Sequence, residues 1–196
     1  MRLFAAVLPP DDVRAELDSV VDELRTLPGA RGLRWTGREG WHFTLAFYGE
    51  VEDGVVPELA ERLAGVARGT APFRLAVRGG GEFGRGKVVW AGASGASGEV
   101  GREAGALRAL ADRAEAAGRE AGVEMEHRRY TAHLTLARSR EGVEPGPYVE
   151  VLDRFAGRGW EVGELALVRS ELPRSGVAGE GPRYEVAGRW ALGGGG

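Results

Sequence analysis

An α+β fold of two pseudo-symmetric lobes, with antiparallel sheets lining a central cleft and helices outside, is what this sequence predicts. Three observations carry it. Helical and β patterns alternate along the 196 residues, but several strands come in consecutive pairs, so hairpins and antiparallel sheet must contribute. A helix followed by a strand containing His-x-Thr-Leu occurs in each half, at 42–45 and at 133–136. The composition, 43% hydrophobic and 28% charged, suits a domain that can bury a proper interior. Residues 1–192 are therefore expected to form one domain of two lobes, with Gly193–Gly196 as a disordered tail.

The elements follow in order. "LFAAVL" at 3–8 is a continuous apolar run closed by Pro9 and Pro10, the pattern of a fully buried strand. Val13, Leu17, Val20, Val21, Leu24 and Leu27 then keep a helical period, with Asp11 or Asp12 as the cap and Pro28-Gly29 as the stop. Strands are expected at 33–36 and 41–49, a helix at about 55–68, and strands "FRLAVRG" and "KVVWAGA" around a glycine-rich loop. "AGASGASGEVG" at 91–101 reads as a flexible connection. An alanine-rich helix follows it, then the strand of "YTAHLTLAR", a short helical piece near 148–156, and strands "ELALVRSEL" and "RYEVAGRWAL".

Composition removes several function classes. Cysteine is absent, which excludes disulfides, thiolate zinc sites and cysteine nucleophiles. The net charge of −3 argues against bulk binding of duplex nucleic acid, though not against one RNA end held in a local basic cleft. The apolar start is too short for a signal segment and no run is long enough to cross a bilayer, so a cytoplasmic monomer without a membrane partner is expected.

Two motifs are decoys. "GGGEFGRGK" contains a GxGxxG (Gly79, Gly81, Gly84) and a GxxxxGK (Gly81, Gly86, Lys87). Phosphate binding by either needs glycines that open a helix. Here they lead into a β pattern, and Val88 stands where a P-loop needs Ser or Thr. No metal or cofactor is expected, since His127 and His133 lack ligand spacing. His127 reads as a surface residue, and Arg128 and Arg129 as a basic rim or as solvated charge.

The repeated tetrapeptide is different. With 6 Thr and 19 Leu in the chain, a given His gains Thr at +2 and Leu at +3 in roughly 0.3% of shuffled sequences. Two of three histidines doing so is not a chance pattern. Alternation along a strand puts His42 with Thr44, and His133 with Thr135, on one face, about 7 Å apart. Phe43, Leu45 and Phe47, like Leu134 and Leu136, then face apolar packing. Two such strands side by side present two imidazoles to one small anion. That suits in-line displacement at phosphorus, one imidazole taking a proton from the attacking oxygen and the other giving one to the departing oxygen. The threonine hydroxyls and Arg138 can bind non-bridging oxygens. Arg138 lies an odd number of residues from His133, so it reaches the phosphate only if the strand ends, twists or bulges near Ala137. Phe83, Trp35 and Tyr130 could stack on a nucleobase, or could equally be core or rim packing. Spacing does not decide which histidine is acid and which is base.

"HFTLAFYGEV" and "HLTLAR" resemble the twin signatures of the two-histidine (2H) phosphoesterase superfamily. "MRLFAAVLPPDDVRAEL", "LRWTGREGWHFTLAFYGEV", "PFRLAVRGGGEFGRGKVVWAG" and "YTAHLTLARS" are similar to blocks of its RNA 2′,3′-cyclic phosphodiesterase, or 2′-5′ RNA ligase, family. The resemblance implies the bilobal fold and metal-independent hydrolysis of a terminal 2′,3′-cyclic phosphate on RNA to a 2′-phosphomonoester. It also implies related ligation chemistry, with a 5′-hydroxyl in place of water. It implies His42 as proton donor, His133 as proton acceptor, and Thr44, Thr135 and Arg138 on the phosphate. Ala132 stands where the family often has Pro. Small cyclic nucleotides or 2′-5′ oligonucleotides as substrates, or an idle RNA-end-binding module, are the alternatives.

Overall fold

The computed structural model describes residues 1–94, 102–173 and 180–194. The first strand, β1 (Arg2–Val7), is buried on both faces, as its unbroken apolar run requires. Leu3, Ala5 and Val7 join the main core on one side, while Phe4 and Ala6 form a small cluster with Ala166 and Val168 on the other. Helix α1 (Asp11–Leu24) follows, with Pro10 at its cap position in extended conformation. The expected aspartate cap is absent, because Asp11 and Asp12 already lie within the first turn. There their charge favours the positive end of the helix dipole. The helix also ends before Leu27.

Strand β2 (Arg34–Trp35) is only two residues long, and β3 (Phe43–Glu50) carries the first tetrapeptide. Next come α2 (Val56–Arg68), β4 (Phe73–Phe83) and β5 (Val88–Ser94). The expected glycine-rich loop is therefore mostly strand, since Gly79, Gly80 and Gly81 lie inside β4. Of the expected flexible connection, 91–94 is strand and 95–101 lies outside the described residues. The chain continues with α3 (Arg102–Glu120), β6 (Leu134–Arg138), α4 (Gly146–Arg154), β7 (Trp160–Val162), β8 (Glu164–Glu171) and β9 (Arg183–Ala191). Gly193 donates its N–H to the Ala67 carbonyl at 3.0 Å, so the chain is held at that point; Gly195 and Gly196 lie outside the described residues.

All strand pairs are antiparallel, and the order is β7-β4-β5-β6-β3-β1-β8-β9, with β2 added to β6. The two tetrapeptide strands are thus central, each leading a lobe of four strands. The lobes do not follow the two halves of the chain. One takes β3 and β1 from the N-terminal part and β8 and β9 from the C-terminal part, while the other is drawn from the middle. Helices cover the outer face: α3 packs on β3 and α2, α4 on β4 and α1, and α2 on β9. The Tyr48 hydroxyl of β3 donates to the Ala114 carbonyl of α3 at 2.8 Å, tying the sheet to its cover. Among the described residues no helix is long and apolar enough to cross a membrane.

Candidate active site

The central strands meet at one register pair, Phe43 opposite Leu134. These residues directly follow His42 and His133, so each histidine enters the cleft where its strand begins. One antiparallel step either side of that pair sets His42 across from Thr135 and Thr44 across from His133.

Both tetrapeptides contain a β-bulge, and at the same residue. Against β1, Ala46 pairs with Ala5 and Thr44 with Ala6, which leaves Leu45 without an opposite number. Against β5, Ala137 pairs with Val89 and Thr135 with Trp90, which leaves Leu136 as the extra residue. A bulge resets alternation by one residue. Leu45 and Ala46 are consequently both buried, as are Leu136 and Ala137, and the next residue turns outward in each strand. In β6 that residue is Arg138, delivered to the cleft by the irregularity its position demanded. In β3 it is Phe47, 48% exposed rather than packed in the core as strict alternation predicted.

The two imidazoles are anchored alike. His42 Nδ1 lies 2.7 Å from the Gly40 carbonyl and His133 Nδ1 lies 2.8 Å from the Thr131 carbonyl. A carbonyl only accepts, so Nδ1 carries the hydrogen in both rings and Nε2 is left for chemistry. Aromatic rings hold each imidazole from the side. Phe4 stacks on His42 at 4.6 Å between centroids, and Tyr184 meets it edge-on at 5.2 Å. Phe83 meets His133 edge-on at 5.1 Å and Trp90 does so at 6.1 Å.

Burial pushes His42 down to about 4, against the Gly40 hydrogen bond, which favours the charged ring; the positive charges of His133, Arg138 and Arg14 push it down further. Burial lowers His133 as well, opposed by its Thr131 hydrogen bond and helped by Arg138. Both rings are therefore neutral at neutral pH.

A cavity of about 950 Å³ opens on the His42 side, lined by His42, Thr44, Trp35 and Arg138 among others. Trp35 is among the residues lining this cavity, while His133, Phe83 and Tyr130 are not, so the aromatic rings expected to stack on a base are not gathered in one place. Trp35 lines the cavity, with its Nε1 donating to the Ala30 carbonyl at 3.1 Å and Arg25 lying 5.5 Å over its ring. Tyr130 packs against the core edge with its hydroxyl buried and without a partner, and burial raises its pKa. His127 is exposed, 3.1 Å from Glu115. Among the described residues no three His, Asp or Glu side chains cluster to hold a metal ion.

The decoy glycines serve the second histidine. A Cβ on Gly81 would collide with the Trp90 indole, so glycine there lets the ring lie flat across β4 beside His133. Gly86 has φ +78° and abuts the Val143 backbone, closing the tight turn between β4 and β5. Sequence reasoning missed Phe4, Phe47, Trp90 and Tyr184. Only Phe47 left a signal: it stands five residues after its histidine, as Arg138 does after His133.

The chain is similar to known proteins in sequence and in fold. The chain matches the family described as LigT-like phosphoesterase over residues 7–90 and 100–178. An RNA 2′,3′-cyclic phosphodiesterase of Aeropyrum pernix is 35% identical over 151 residues, 76% of this chain and 80% of that protein. One of Thermus thermophilus is 34% identical over 195 residues, 98% of this chain and 90% of that protein. For one of Geobacillus stearothermophilus, 31% identical, this chain spans 47% of the relative's length. A crystal structure from Thermus thermophilus superposes with a TM-score of 0.74 at 30% identity, covering 99% of both chains. E. coli LigT complexed with 3′-AMP does so with a TM-score of 0.70 at 26% identity, covering 97% of both.

Proposed function

The chain belongs to the LigT-like phosphoesterase family, and from that premise we propose that it hydrolyses the terminal 2′,3′-cyclic phosphate of RNA to a 2′-phosphomonoester. The observation that carries the reading is the matched pair of imidazoles. Each is fixed through Nδ1 by a backbone carbonyl two residues earlier, and each adjoins the threonine of the opposite tetrapeptide. The relatives' shared name and the 3′-AMP held by E. coli LigT support a nucleotide phosphate as the group acted on.

The phosphate sits between the rings. His133, neutral, accepts a proton from water at Nε2 as the water oxygen bonds to phosphorus. The P–O3′ bond breaks opposite it, and His42 donates its Nε2 proton to the departing 3′-oxygen, leaving the phosphate on O2′. Thr44, Thr135 and Arg138 bind the non-bridging oxygens, with contacts that tighten as charge builds. The anionic substrate supplies the charge that raises His42 from its low value, so the donor becomes protonated as the substrate binds. The same site with a 5′-hydroxyl in place of water performs 2′-5′ ligation. None of these steps calls for a metal.

An oligonucleotide ending in 2′,3′-cyclic phosphate, incubated with the protein and EDTA, should yield a terminal 2′-phosphate. His42→Ala and His133→Ala should each lower kcat by roughly 10²–10⁴, and the double variant should be little worse than either. No turnover by the wild-type chain, or a strict metal requirement, would overturn the reading.

A further inference from the structure

The cavity beside His42 is built for more negative charge than one reacting phosphate carries. Arg2, Arg34, Arg138 and Arg183 line it, against two carboxylates, Glu39 and Glu180, in a chain whose net charge is −3. Arg38, Arg62, Arg158 and Arg189, outside the cavity, are each matched to a carboxylate.

The placement of Arg34 is the sharper observation. It stands directly opposite Arg138 in the β2–β6 ladder. Like charges in directly opposed positions destabilise a sheet, and anions bound beside them relieve that repulsion. Across the cavity, Arg2 lies over the Phe47 ring at 4.7 Å, and the Tyr184 ring edges His42. Burial raises the Tyr184 pKa while Arg138, Arg34 and Arg2 oppose it, so all three guanidinium groups bear on that hydroxyl.

The chemistry gives the cavity a direction. If His42 protonates the 3′-oxygen, the ribose that keeps this oxygen lies on the His42 side, and the RNA chain leading to it continues that way. We propose that Arg34 and Arg2, with the Tyr184 hydroxyl, form a second anion subsite that holds the phosphodiester joining the terminal nucleotide to the rest of the RNA. This rests on the proposed cyclic phosphodiesterase activity and deepens it. Arg138 serves the reacting phosphate and its cross-strand neighbour Arg34 serves the next one along the strand. The preferred substrate is then an oligonucleotide end and not a free cyclic mononucleotide.

The test uses the wild-type protein and three substrates: a dinucleotide ending in 2′,3′-cyclic phosphate, the same dinucleotide with a neutral methylphosphonate linkage, and the cyclic mononucleotide. The charged dinucleotide should exceed the mononucleotide in kcat/KM by about tenfold or more, the worth of a charge-assisted contact, and either methylphosphonate diastereomer should lose that advantage. Arg34→Met should lower the ratio of dinucleotide to mononucleotide turnover by a similar factor, mainly through KM. Equal turnover of the charged and neutral linkages, or an Arg34→Met ratio equal to wild type, would overturn the subsite while leaving the hydrolytic activity standing. Failure of the wild-type chain on all three substrates would instead remove the activity, and the subsite with it.

Discussion

The His42 imidazole is held neutral chiefly by burial, with a carbonyl fixing its tautomer, Phe4 against its face and the Arg138 and Arg14 guanidinium groups bearing on it. Two consequences are measurable. A donor lowered to about 4 and an acceptor also lowered are both deprotonated at neutral pH in the free protein. The required form then becomes scarcer as pH rises, so kcat/KM should already be falling at pH 7 and above, while kcat, read with the anion bound, should hold to higher pH. A kcat/KM that rises between pH 7 and 8 would contradict the assigned roles. The second consequence concerns stability. His42 titrates near 6.5 when unfolded and about 4 when folded, so the unfolded chain binds more protons between those values. Stability is therefore full above pH 6.5 and is lost as pH falls toward 4, by at most about 1.4 kcal/mol per pH unit from this residue. Urea melts at pH 7 and 5.5 should show the loss, and His42→Phe should flatten it.

At the scale of elements, the paired bulges are what make the strands functional. Sequence alternation placed His and Thr on one face, and it placed Leu134 and Leu136 in the core, where both are found. It put Phe47 on the wrong side, because alternation counts residues and a bulge adds one. The need for an irregularity beneath Arg138 was legible from its odd spacing, and the same reasoning applied to "HFTLAF" would have turned Phe47 outward. The glycines of β4 were legible as a false phosphate loop, since they ran into a β pattern, but their use was not. Only the packed structure shows the Trp90 indole lying over Gly81. Gly81→Val should therefore push the indole against Phe83 and His133. A cost of about 1–3 kcal/mol is expected from overpacking, with kcat lowered several-fold. A variant of unchanged melting temperature and unchanged kcat would show that Trp90 does not position His133.

At the scale of the molecule, charge and topology act together. A chain of net charge −3 concentrates four arginines in one cavity, so binding of RNA ends should weaken with salt, though less steeply than for a basic duplex-binding protein. About two phosphate contacts imply a slope of roughly −1.4 in log affinity against log salt for single strands. Titrating KM against potassium chloride checks this, and a slope near zero would argue against guanidinium–phosphate contacts.

The sequence by itself determined the fold class, the two central strands and the histidine–threonine faces, because these depend on local periodicity and on a motif repeated within one chain. The tertiary structure alone decided what surrounds each imidazole. Phe4 and Tyr184 reach His42 from strands at opposite ends of the sequence, and Trp90 reaches His133 from a neighbouring ladder. The Arg34–Arg138 pair joins residues about a hundred positions apart. Such contacts are set by strand order, which leaves no mark in local spacing.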